Sequence, residues 1–162
     1  MDISKRKKGY PIYVRTILCL IFFSAIYITL IRPIRVTINS DYLYPKFSQL
    51  ALNEGIELKE NPRRINIQKK GYGSPRGFGV PFGGYFWLPL ALLVACSNRN
   101  VILALTSYHL FLFIIPPYLG ILFIRGHDWA GTLLQVNEML FLGIFMFTIF
   151  FGGQEIFNKY KE

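Results

Sequence analysis

A chain of 162 residues that is 52% hydrophobic and 17% aromatic, with a mean hydropathy of +0.36, carries more apolar surface than one water-soluble domain can hide. Its formal net charge of +9 comes from 18 Lys and Arg against 9 Asp and Glu, and these basic residues cluster beside apolar stretches, where anionic lipid headgroups would meet them. Neither a recognition helix nor zinc-finger spacing accompanies the charge, so nucleic acid is excluded as a partner.

Taken in order, residues 1–11 form a basic N-terminal segment containing Lys5, Arg6, Lys7 and Lys8. Residues 12–31 follow as a first membrane span, too long for a signal-peptide core and without a small-x-small cleavage site, hence an uncleaved anchor. Residues 32–81 form an ordered extracytoplasmic loop. Within it, "YPKFSQLALNEG" predicts a helix starting near Pro45 and stopping at Gly55. Ile56 and Leu58, then Ile65 and Ile67, alternate on either side of "ENPR", which predicts a short β-hairpin. "GYGSPRGFGVPFGG" then packs six glycines and two prolines into fourteen residues, either a flexible connector or a backbone segment fitting closely against another protein or lipid.

Residues 82–97, 101–124 and 130–152 supply three further spans, and residues 153–162 a tail. Pro89 interrupts the second span, and Pro116 and Pro117 are expected to break the third. The fold class is therefore an all-α membrane protein with four transmembrane helices and a small helix-plus-β-hairpin loop. The cluster at Lys5–Lys8 places both termini in the cytoplasm of a multi-pass inner (plasma) membrane protein. The loop and Arg125 hold more basic residues than the opposite side, so that orientation rests on the first span alone.

Polar groups inside the spans need partners, because a charge at the bilayer centre costs at least ~2.5–3.5 kcal/mol. Glu138 lies eight residues past Ala130, ~12 Å into the fourth span, and shares a helix face with Gln135 and Gly131. On the third span, His109 lies at a similar depth, with Thr106 on its face. A Glu138–His109 hydrogen bond, direct or through Gln135 or a water, is the expected contact. Interhelical support, a site for a partner's helix and a proton path all remain open for it. Cys19 and Cys96 both fall inside spans and show no metal-ligand spacing; no HExxH, phosphate loop or Gx-Ser-xG elbow points to a metal or another cofactor.

"ACS" at residues 95–97, Arg125, and "HDWAG" at residues 127–131 resemble the exosortase/archaeosortase group, over about a fifth of the chain. The resemblance implies a polytopic membrane enzyme that processes C-terminal sorting signals with a Cys–Arg–His set, here Cys96, Arg125 and His127. After "ACS" this chain continues with "NRN", its arginine and histidine are two residues apart, and it has about half the family's spans. Cys96 is expected at one membrane face and His127 at the other, ~30 Å apart, whereas a nucleophile and its base need ~2.6–3.2 Å. The expectation is therefore an accessory or assembly subunit of a membrane complex, linked to such sorting or to surface-polymer export and bound to lipid and partner membrane proteins. The alternative is a membrane-embedded cysteine peptidase.

Overall fold

A computed structural model describes residues 11–59, 61–69, 71 and 73–161. The expected basic cluster at residues 5–8 lies outside them. The chain runs α1 (Ile12–Asn53), β1 (Glu57–Lys59), β2 (Arg64–Gln68), β3 (Arg76–Gly79), α2 (Gly84–Cys96), α3 (Arg99–Phe111), α4 (Ile115–Ile124) and α5 (Asp128–Lys161).

The first helix differs from expectation. It does not stop at residue 31 and restart near Pro45, but continues unbroken for 42 residues, ~63 Å at 1.5 Å per residue. Two widened π-type turns, Tyr27–Ile31 and Ile38–Leu43, end two residues before Pro33 and Pro45. A helical proline lacks its N–H and pushes against the carbonyl four residues back, and a wide turn gives that carbonyl room. Gly55 ends the helix as expected: with φ +65° it sits in the left-handed region, its N–H bonding Leu52 O and the Ile56 N–H reaching Ala51 O at 2.9 Å.

The predicted hairpin is present, with Leu58 opposite Ile67, and a third strand extends it to an antiparallel β1-β2-β3 meander. The glycine-rich segment supplies that strand. Gly77 tolerates no side chain, since a Cβ there would strike the Ile65 carbonyl, so the close approach is within the chain itself. Ile65 and Ile67 are fully buried beneath the sheet. They meet Phe47 and Ala51 from α1, Phe78 from β3, Leu119 and Phe123 from α4, and Ala130 and Leu134 from α5. This is the core of a head layer, and each large side chain fully buried in it contributes ~1.5–3 kcal/mol.

A second core gathers Phe86 and Leu93 of α2, Leu105 of α3, and Ile144 and Phe151 of α5. The break expected at Pro116 and Pro117 occurs just before them, at residues 112–114. It sends α3 into this second layer and α4 into the head.

Helix α2 runs alongside α1 and is gripped at both ends by it. At its C-terminal end, Arg15 donates to the carbonyl of Val94 (3.0 Å) and to Ser97 Oγ (2.8 Å), a cation where the helix dipole favours one. Just before its N-terminal end, Arg35 Nε donates to the carbonyls of Val80 (3.0 Å) and Pro81 (2.8 Å), and Nη1 to the Tyr27 hydroxyl. The two arginines are twenty positions apart, ~30 Å along the helix. Below, Asn98 caps α3 by accepting the Val101 N–H and donates to Glu155 Oε1 of α5 at 2.9 Å.

Among the described residues, three stretches are long and apolar enough to cross a membrane: Ile12–Asn53, Arg99–Ile124 and Asp128–Asn158. Residues 84–96 form a shorter apolar helix. Replacing Arg35 with Met strands the Val80 and Pro81 carbonyls. The detergent-solubilised protein should lose about 3 kcal/mol of stability, read as a lower thermal midpoint, as expected for lost bonds to a charged donor. Gly120→Ala should also destabilise, by about 1–3 kcal/mol, because its Cβ would lie 2.5 Å from the Phe78 ring.

Candidate functional site

Between the sheet and α5 lies an open cleft of about 570 Å³. Strand alternation creates one wall: Ile65 and Ile67 point into the head core, so Arg64 and Asn66 point away from it. Their cross-strand neighbours are Gly79 and Gly77, which add no side chains to this wall. The facing wall is a single stripe of α5, Gln135, Glu138, Met139 and Leu142, at spacings of three, four and seven that bring helical side chains to one face. Asn61, Ser74, Pro75 and Arg76 complete the rim.

Glu138 takes a different partner from the one expected. Its Oε1 accepts a hydrogen bond from Arg64 Nη1 at 2.8 Å, joining α5 to β2 across 74 residues of sequence. The contact sets the sheet level with the carboxylate on α5. The two side chains are 34% and 54% exposed, so solvent screens the pair and its contribution is small, ~0.2–1 kcal/mol. Gln135 lines the same cleft, as the shared helix face predicted.

His109 is buried, and its Nδ1 lies 3.0 Å from the Leu105 carbonyl one turn back. Its ring packs among Phe82, Phe86 and Phe141, with centroids 5.6, 4.7 and 5.7 Å away. It therefore reaches α5 through Phe141, one turn below Glu138, at about the expected depth but turned towards aromatic rings. Thr106 bonds the Ile102 carbonyl on its own helix and joins neither residue.

Cys96, Arg125 and His127 do not come together. Cys96 is buried with its Sγ 3.5 Å from Gly152 O on α5. Arg125 and His127 lie at the other end, in the α4–α5 turn that Gly126, at φ +97°, makes possible. From Asp128 to Gly152 the helix rises ~36 Å, so the thiol and the imidazole face different ends of the molecule. Asp128 opens α5, where a negative charge suits the helix N-terminus, and pairs with Lys69, whose Nζ also lies 5.4 Å from the centre of the Phe123 ring. Neither cysteine is in a disulfide.

The arginine grip on α2 was not among the expected contacts. Arg15 and Arg35 count as flanking charge in the sequence; the signal available was their separation of twenty positions, one bilayer thickness, on a helix that faces another. Comparisons with known protein families, curated proteins and solved structures give no match.

A double-mutant cycle on Arg64→Leu and Glu138→Leu, read by thermal unfolding in detergent, should return a coupling no larger than about 1 kcal/mol. A coupling of several kcal/mol would show the pair to be desolvated, as a membrane-buried charge would be.

Proposed function

We propose that this chain is an integral membrane accessory or assembly subunit of a membrane complex, serving exosortase-type protein sorting or surface-polymer export. It crosses the membrane four times, with both termini in the cytoplasm of the inner membrane and the head outside. In this arrangement the bilayer covers α1 between Arg15 and Arg35 and α5 from Met139 to Asn158, each ~30 Å. The two 13-residue helices α2 and α3 cross as a hairpin. Each is only ~20 Å long, and the bent approach at residues 80–83 and the turn at 112–114 make up the difference.

The observation that carries the reading is the apolar face of α5 that continues above this level. Trp129, Leu133 and Val136 are 54%, 44% and 42% exposed, and stand up to ~14 Å beyond Glu138. Lipid tails do not reach that far, and an exposed apolar face in water marks a protein contact. The peptidase reading would need Cys96 beside His127, and the ~36 Å between their ends of α5 speaks against it.

Native purification in mild detergent, with bound proteins identified by mass, tests the proposal. A partner membrane protein is expected with the wild-type chain and should be lost with Leu133→Glu while the helical signal and thermal midpoint hold. Finding no partner, or an unchanged one in the variant, removes the proposal. Cys96→Ser should leave partner binding and stability intact.

A further inference from the structure

The β1–β2 turn lies against α1 and brings three guanidiniums to one place. Asn39, buried on α1, donates a side-chain N–H to the Asn61 carbonyl at 2.9 Å, and Asn61 Oδ1 accepts the Arg63 backbone N–H at 2.9 Å. These bonds hold Pro62 and Arg63 over a hollow whose other walls are Tyr27, Arg32, Arg35 and Val36 of α1. Arg35 donates to the carbonyls of Val80 and Pro81 and to the Tyr27 hydroxyl, all neutral acceptors, so its charge is not compensated there. Arg63 stands close enough to Arg35 for the two like charges to repel. The side chains of Arg32 and Arg63 are exposed and make no ion pair or hydrogen bond among the described residues. No carboxylate among the described residues lines the hollow; Asp41, the single acid of α1, accepts from Ser40 instead.

The hollow sits where α1 nears the far side of the bilayer, since Arg32 is ~26 Å along the helix from Arg15. Below Arg32 on its own face, Ile28 and Ile21 follow at spacings of four and seven and are 58% and 63% exposed. We propose that Arg32 and Arg63, backed by the charge of Arg35, hold the phosphate of one anionic phospholipid, with an acyl chain lying down Ile28 and Ile21. The hollow itself has a volume of about 10 Å³, the space of one water. It therefore receives a single phosphate oxygen, and the rest of the group lies between the two exposed guanidiniums. Such charge-assisted bonds are roughly twice as strong as neutral ones, and the anion also relieves the repulsion between the arginines. The isoleucines below select a ligand with a tail over free phosphate. An acidic peptide would match the arginines alone. The proposal rests on the membrane setting of the chain and not on the partner subunit, so Leu133→Glu should release the partner and keep the lipid.

The test is native mass spectrometry of the full-length protein taken from detergent containing equimolar phosphatidylglycerol and phosphatidylcholine. Wild type is expected to retain phosphatidylglycerol about twentyfold over phosphatidylcholine, at about fivefold for each free basic residue beside an anionic headgroup. Arg32→Gln and Arg63→Gln should each lower the ratio about fivefold, and the double variant should bring it near unity. Both side chains are exposed, so the thermal midpoint should hold in all three variants. Lys46→Gln removes an exposed cation ~21 Å further along α1 and should leave the ratio unchanged. Equal retention of both lipids by wild type, or a preference that survives in the double variant, overturns the proposal. An equal fall in Lys46→Gln also overturns it, by showing diffuse surface attraction in place of a site. So does displacement of the lipid by millimolar inorganic phosphate, which would make the site one for a free anion, or a bound peptide mass that the double variant loses.

Discussion

Two guanidiniums on one rod hold this structure in register. Arg15 and Arg35 project from α1 to opposite ends of α2 and donate to the Val94, Val80 and Pro81 carbonyls and to the Ser97 hydroxyl. A carbonyl left unpaired away from water costs as much as a lost hydrogen bond, so each contact fixes where α2 begins and ends. The remaining order follows from that placement. With α2 set, Phe86 and Leu93 define the lower core, Cys96 meets α5 at Gly152, and Asn98 ties the α2–α3 turn to Glu155. Above, the same Arg35 anchors the residues leading out of β3, so the sheet is carried by the rod that carries the lower layer.

The division into two layers explains why a carboxylate stands within an apolar run. Helix α5 is ~51 Å long, far more than hydrocarbon thickness, and hydropathy averaged over it does not tell which part sees lipid. The part beside the sheet has protein on one side and can keep Glu138, Gln135 and Asn137 in contact with polar neighbours or water. Arg64 faces Glu138 only because β2 alternates, which turns its polar residues outwards whenever its isoleucines turn in. The same logic sends α4 upwards. Pro116 and Pro117 begin a helix more readily than they continue one, so the apolar run ending at residue 124 divides between two cores.

Much of this was legible in the sequence where local chemistry decides the outcome. Gly55 stops a helix because few residues but glycine accept its backbone angles, and Ile65 and Ile67 declare a strand by alternation. The membrane character follows from composition alone. What was hidden depends on contacts distant in the chain. The persistence of α1 through Pro33 and Pro45 requires wide turns that no propensity scale anticipates. Strand β3 carries two glycines, a weak strand signal, and exists because β2 needs a neighbour without side chains at those positions. The partner of Glu138 could be sought among intramembrane residues only while β2 was placed elsewhere; His109 had the right height and the wrong direction.

An unbroken α1 has a mechanical meaning. With Pro33 and Pro45 absorbed inside the helix, no loop separates the head from the lower layer along this path. Head and lower layer thus share one continuous backbone hydrogen-bond ladder, and its two wide turns are where that rod would bend first.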